Sequence, residues 1–119
     1  MTTYHEVVNG RTGEVIASRG RMADNFKTRT VGLLGDARLD EDEALIIKPC
    51  WSIHTFFMRF PIDVLFLDKQ GKLKKVINKM PAWRMAASWG AHDTIEMAPG
   101  ALEGFDLQVG DTIEIRKAA

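Results

Sequence analysis

The stretch PCWSIHTFFMRFPIDVLFLD, residues 49–68, holds the single cysteine, one of three histidines, an arginine and two aspartates in an apolar window. Its second half is apolar on both parities of an extended chain, since Ile62, Val64 and Phe66 alternate with Leu65 and Leu67. A strand that is apolar on both sides is covered on both faces. We therefore expect residues 62–68 to form a buried strand at the centre of the fold, paired in a hairpin with residues 53–58 around a proline-containing turn.

Length and composition predict a single globular domain over residues 1–119. A chain of this size buries roughly two-thirds of the surface that its unfolded form exposes. Its 45% of hydrophobic residues against 27% of charged ones is typical of a folded protein rather than a disordered one. Sixteen basic residues balance sixteen acidic ones, so there is no net field to gather phosphates, and we expect no nucleic-acid partner.

Cysteine usage and the N-terminus bear on the compartment. One cysteine cannot form an intrachain disulfide, which favours a reducing compartment. The first residues, MTTYHEVVNG, do not resemble a signal peptide, and no apolar run is long enough to span a bilayer. The sequence predicts a soluble, cytoplasmic protein without a membrane span, a monomer or weak homodimer. The alternative is an exported protein whose leader is absent from this chain.

Short apolar runs separated by turn residues predict a mainly β fold. The expected strands cover residues 4–8, 14–18, 44–48, 73–78, 94–97 and 112–116 besides the central hairpin, and the first two form a hairpin around NGRTG. A helical spacing of apolar residues predicts one short helix from Ala23 to Gly35. Residues 80–93, MPAWRMAASWGAHD, are expected to be a long loop. Together these elements predict a compact, mostly antiparallel β-sandwich or small barrel.

The polar groups of the central stretch raise a metal hypothesis. Cys50, His54 and Met58 are a ligand set that would suit a soft ion such as copper. In an extended strand, four residues span about 13 Å, which is too far for two ligands that each lie about 2 Å from one metal. We therefore expect no metal or other cofactor, and we interpret the three residues as a buried thiol, a hydrogen-bonded histidine and a space-filling methionine.

Asp63 lies between two apolar residues of the buried strand, so its carboxylate requires partners. The register of the predicted hairpin leaves two alternatives open. One places Asp63 on the face of His54 and allows an Asp–His pair. The other makes Asp63 a structural acceptor for Thr55, Arg59 or backbone amides. Elsewhere, Glu96 is a candidate half-buried carboxylate, and Asp111 is expected to close a turn into the last strand.

The loop at 80–93 offers stacking surfaces and a charge. Trp83, Arg84 and Trp89 are candidates for the lining of a groove for a ligand or partner. The alternative is a flap that packs its tryptophans over an open end of the sheet. The lysines that follow the central stretch alternate with apolar residues, so we interpret them as the solvated face of a strand; they are Lys69, Lys72, Lys74, Lys75 and Lys79.

The sequence resembles the bacterial and archaeal family called domain of unknown function 192. The resemblance runs from about Ala23 to Ile115 and is carried by VGLLGD, by FFMRFPIDVLFLDKQG, by IEMAPG and by VGD near the end. Many members of that family have tryptophan in place of Phe57 and asparagine in place of Phe60. The resemblance implies a β-rich fold of the sandwich type and implies no activity.

These observations predict a small, non-enzymatic binding or accessory module for an unidentified protein or small ligand. Its expected contact surface combines the loop at 80–93 with a rim made by His54, Arg59 and Asp63. The alternative is a metal- or thiol-dependent enzyme centred on Cys50, His54 and Asp63.

Overall fold

A computed structural model describes residues 3–23, 39–55 and 60–118. Within these ranges the protein forms nine strands and no helix; the strands are β1 (His5–Asn9), β2 (Val15–Ala23), β3 (Glu43–Ile47), β4 (Ser52–His54), β5 (Ile62–Leu67), β6 (Leu73–Met80), β7 (Met85–Ala87), β8 (Asp93–Met97) and β9 (Ile113–Lys117). Ala23, where the predicted helix begins, is the last residue of β2, and residues 24–35 of that prediction lie outside the described ranges. The prediction of a mainly β fold is confirmed.

Seven strands form one sheet in the order β6-β5-β8-β3-β2-β1-β9, and β4 and β7 form a separate two-stranded sheet. In the large sheet β2 and β3 are parallel, and every other neighbouring pair is antiparallel. The predicted hairpin of the first two strands is confirmed as β1 and β2, with irregular register where the strands bend.

The large sheet is curled into a half-barrel. Its two edge strands, β6 and β9, approach each other where β6 begins. There, the Leu73 N–H donates to the Asp111 carbonyl and the Gly110 N–H donates to the Leu73 carbonyl, both at 2.8 Å. The Ile113 N–H donates to the Gly71 carbonyl at 2.8 Å. A bridge between Lys72 and Thr112 belongs to the same contact. Of the two predicted architectures, the curled sheet corresponds to the barrel.

The core lies around β5 and β8, two adjacent interior strands of the sheet. Every residue of β5 and of β8 is buried. The prediction that β5 is covered on both faces is therefore confirmed. Because the strand is covered on both sides, any polar side chain in it must find its partners inside the protein.

The predicted hairpin between residues 53–58 and 62–68 is wrong. The described part of the first segment, β4, pairs with β7 and not with β5, and Ile53 lies opposite Ala86. β5 pairs with β6 on one side and β8 on the other, so both of its edges are occupied. The chain between β4 and β5 therefore leads from one sheet to another instead of reversing within one.

The segment at 80–93 is also more ordered than predicted, because it contains β7. The large sheet and this segment are joined at Cys50, whose N–H donates to the His92 carbonyl at 2.6 Å. The Thr94 hydroxyl donates to the Cys50 carbonyl at 3.0 Å. These bonds attach the small sheet to β8.

Asp111 is a polar anchor beside the point where the sheet closes. Its carboxylate accepts hydrogen bonds from Arg11 Nε at 2.6 Å, Asn9 Nδ2 at 3.0 Å and the Gln108 N–H at 2.9 Å. The hydrogen bond from Arg11 is the main reason why the pKa of Asp111 falls to about 2. The prediction that Asp111 closes a turn before the last strand is confirmed.

Candidate binding surface

Thr55 organises the small sheet from a fully buried position. Its N–H donates to the Arg84 carbonyl at 2.8 Å, and its carbonyl accepts from the Trp83 N–H at 2.9 Å. Its hydroxyl donates to the Pro81 carbonyl at 2.6 Å and accepts from the Arg84 N–H at 2.8 Å. With four short bonds around one residue, the backbone that leads into β7 is fixed, and Trp83 is held at a φ of 63°.

Large apolar side chains are exposed on and beside this small sheet. The exposed fractions are 54% for Trp51, 56% for Trp83, 73% for Met85 and 89% for Trp89. The Trp51 and Trp89 rings meet edge to face, with centroids 6.1 Å apart, which is a favourable arrangement for aromatic rings. We call these four residues the tryptophan surface.

The strand pairing assigns the remaining side chains of the small sheet to its two faces. Ser52, His54, Met85 and Ala87 are exposed, whereas Ile53 is buried and Ala86 is half-buried against the core. His54 lies opposite Met85, so the structure brings this predicted residue to the tryptophan surface. Arg84 is exposed next to Trp83, and its Nη1 donates to the Trp83 carbonyl at 3.4 Å.

Asp63 does not share that surface. It is completely buried on β5. Its Oδ1 accepts hydrogen bonds from the N–H groups of Lys79 at 2.8 Å and Gly100 at 3.1 Å, and its Oδ2 accepts from the Leu102 N–H at 3.0 Å. Of the two predicted alternatives, the structure contains the structural acceptor, with backbone amides as the donors.

Cys50 is half-buried, and its thiol donates to the Ser52 carbonyl at 3.0 Å. Within residues 3–23, 39–55 and 60–118, no three His, Cys, Asp or Glu side chains are placed to share a metal ion. Met58 and Arg59, which the sequence adds to the candidate ligands and to the contact rim, lie outside these ranges.

Glu96 occupies an unusual place for a carboxylate, in the middle of β8 between Leu45 on β3 and Val64 on β5. No side-chain hydrogen bond to Glu96 is found among the described residues. Its burial raises its pKa to about 7, because a charged carboxylate without partners is costly in the interior. Sequence reasoning placed Glu96 in a strand and underestimated its burial, because the sequence does not show that β8 is a central strand.

Trp83, Arg84 and Trp89 could be named from the sequence, and Met85 was included only as part of the loop at 80–93, whereas Trp51 was overlooked. Three tryptophans in 119 residues were a usable signal, since two of them lie within the predicted loop and the third follows Cys50. What the sequence could not show is that β4 and β7 pair, which is the contact that brings Trp51 beside Trp89.

Comparison with known proteins agrees with this architecture. The model of the DUF192 family, described as "Uncharacterized ACR", matches residues 7–115. UPF0127 proteins of Thermococcus sibiricus and Pyrococcus furiosus are each 30% identical; the matches cover 91% of this chain, and 73% and 96% of those proteins. The chain therefore belongs to the DUF192 family, as the motifs in its sequence indicate.

Two solved structures share the fold at a TM-score of 0.80. One is a protein of Sinorhizobium meliloti described as a proposed transcription regulator, which is 15% identical, with 97% of this chain and 94% of that one covered. The other is a protein of unknown function from Novosphingobium aromaticivorans, which is 18% identical, with 94% and 84% covered. No helix long and apolar enough to cross a membrane occurs in the described part of this chain.

Proposed function

We propose that this protein is a small binding module without catalytic activity, which contacts a partner protein or ligand through the tryptophan surface. The observation that carries this proposal is the exposure of three tryptophans and one methionine on and beside a single two-stranded sheet. Apolar groups clustered on a surface mark interaction sites more often than isolated ones do, and tryptophan contributes strongly to binding energy at interfaces. His54 and Arg84 supply polar groups at its rim.

The enzymatic alternative finds less support in the geometry. A catalytic role for Asp63 requires a carboxylate that reaches solvent or substrate, whereas this one is sealed in the core and bonded to three backbone amides. His54 lies on β4 of the small sheet and Cys50 lies two residues before that strand, whereas Asp63 lies on β5 of the large sheet. Arg59 stays a prediction for the rim of the contact surface.

The proposal is tested with the double variant Trp89→Ala/Met85→Ala. Immobilised wild-type protein is expected to retain one or more components of a cell extract, identified by mass spectrometry, that the double variant loses. Since both side chains project into solvent, the variant should unfold at a temperature close to that of the wild type.

The matched control is Val109→Ala, which removes an exposed apolar side chain elsewhere on the molecule. A component that counts as a partner must be retained by this control. If the double variant and the control retain the same components as the wild type, the tryptophan surface is not the contact surface.

A further inference from the structure

The small sheet has a backbone edge that its own strands leave open. Thr55 N–H donates to the Arg84 carbonyl, and Ser88 N–H donates to the Trp51 carbonyl. These two bonds fix the alternation of the antiparallel pair, in which every second residue directs its backbone groups away from the partner strand. On β7 the outward residues are Met85 and Ala87. Their N–H and C=O groups form the outer edge of β7.

One lysine of β6 reaches this edge, and a second reaches the turn that follows β7. The ammonium group of Lys75 donates to the Ala87 carbonyl at 3.2 Å. The Lys74 side chain passes Gly90, where its Cε lies 3.9 Å from the position that a Cβ atom would occupy. Neither lysine forms an ion pair with a carboxylate of the described residues. The outer edge of β7 and the turn after it are therefore bordered by two cations that have no carboxylate partner in this part of the chain.

A third feature completes the site, because exposed apolar side chains lie on and just after the same strand. Met85 belongs to β7 itself, and Trp89 lies two residues after Ala87, the last residue of β7. The edge thus combines backbone donors and acceptors, positive charge and apolar surface. This is the combination that binds an extended peptide by strand addition, where backbone bonds supply affinity and alternate side chains supply specificity.

We propose that the partner presents an extended segment with acidic side chains, which adds to the outer edge of β7 as a third strand of the small sheet. This inference rests on the proposed function and specifies its partner. In the complex, backbone groups of the segment bond to the N–H and C=O of Met85 and to the N–H of Ala87, whose carbonyl already accepts from Lys75. Its carboxylates face Lys74 and Lys75, and its apolar side chains contact the tryptophan surface.

Single-stranded nucleic acid is the other occupant that tryptophans beside lysines could suit. The peptide is favoured because the edge offers paired backbone donors and acceptors at strand spacing, which a base or a phosphate does not match. The balanced charge of the whole chain also provides no long-range attraction for a polyanion.

The experiment selects peptides from a displayed library of random dodecamers on the immobilised full chain. Enriched peptides are expected to carry Asp or Glu at every second position, interrupted by apolar residues. The best peptide is then synthesised with its amides N-methylated at odd or at even positions. One of the two N-methylated sets should weaken binding about tenfold or more and the other should have little effect, since only alternate amides of an added strand face β7.

Variants of the protein separate the two proposals. Lys75→Glu should weaken binding of the acidic peptide about tenfold or more, because it reverses a charge at the edge. Lys69→Glu, at an exposed turn, is the matched control and should leave binding unchanged. Thermal unfolding of each variant verifies that it is folded. A thymidine oligonucleotide serves as the competing probe.

If peptide binding requires Trp89 but is unchanged by N-methylation of either set of peptide amides and by Lys75→Glu, strand addition is overturned. The tryptophan surface then remains the proposed contact surface. An oligonucleotide that binds more tightly than any selected peptide, and loses binding in Lys75→Glu, would replace the peptide as occupant. Selected peptides that bind the Trp89→Ala/Met85→Ala variant as well as the wild type would overturn the proposed function and, with it, this inference.

Discussion

Asp63 connects parts of the chain that are far apart in sequence. Its two carboxylate oxygens accept N–H groups from the end of β6 and from the turn after β8. The donor on β6, Lys79, has a φ of 51°, a conformation that residues other than glycine seldom adopt. The carboxylate offsets the cost of that conformation by giving its N–H a buried acceptor.

Replacing Asp63 by Ala should destabilise the protein by about 3–5 kcal/mol, because three amides at a buried site lose their acceptor. Asp68→Ala is the control. The Oδ1 of Asp68 also accepts two backbone N–H groups, from Gln70 and Lys72, but at an exposed turn. The Asp68→Ala variant should therefore lose only about 1 kcal/mol of unfolding free energy. Urea unfolding measures both values. Equal losses of unfolding free energy in the two variants would show that burial of the hydrogen bonds to Asp63 does not increase their contribution to stability.

Glu96 makes stability depend on pH. Its pKa is raised from 4.5 to about 7 by burial, so the folded protein holds a proton that the unfolded chain has released. Its contribution to stability is present in full below about pH 4.5 and is lost as the pH rises through 7. The difference between the two pKa values corresponds to about 3 kcal/mol.

The variant Glu96→Gln should remove this dependence. Gln resembles the protonated acid in shape, so the variant should come within about 1 kcal/mol of the wild type at pH 5 and exceed its unfolding free energy at pH 8 by about 3 kcal/mol. Unfolding by urea at the two pH values gives the comparison. If the wild type lost no stability between pH 5 and pH 8 relative to the variant, Glu96 would not titrate in that range.

Among the elements, β1 and β2 approach each other so closely that one position requires glycine. A Cβ atom at Gly20 would lie 2.8 Å from the His5 carbonyl oxygen and 2.9 Å from Ile46 Cδ1. The backbone atom cannot move aside without separating the two strands. A side chain at this position is therefore excluded by contact rather than by backbone conformation.

Gly20→Ala should lower the unfolding free energy by about 2–3 kcal/mol, because an added methyl group in a packed region forces the backbone to shift. Gly13→Ala separates this effect from backbone strain. Gly13 has a positive φ of 78° with open space around it, so its replacement should cost about 1 kcal/mol. Thermal unfolding compares the two variants, and a smaller effect at Gly20 than at Gly13 would contradict the close approach.

Most of the large sheet could be predicted from sequence because its strands have local signals, although β2 continues to Ala23, past the predicted end at Ser18. Turn residues bound β1, β2 and β6, and a doubly apolar run marks β5. The small sheet has no such signal, since β4 and β7 contain three residues each, too few to show a period. The wrong pairing of β4 with β5 followed, because nearest neighbours in sequence were taken as neighbours in space.

At the scale of the whole molecule, the candidate site was predictable in composition but not in arrangement. The tryptophans, the histidine and the arginine could be named from the sequence. Their exposure, and the burial of Asp63, depend on which strands lie at the centre of the half-barrel. That order includes one parallel pair, β2 and β3, and it is set by contacts between distant parts of the chain that no local pattern records.

The pairing of β1 with β9 has a consequence for biosynthesis. Val7 lies opposite Ile115, so a ribosome makes one partner of this pair long before the other. Until β9 emerges, the outer side of β1 is a row of unsatisfied backbone groups, the kind of edge at which nascent chains associate. The outer edge of β1 can therefore be covered by β9 only after residues 113–117 have been synthesised.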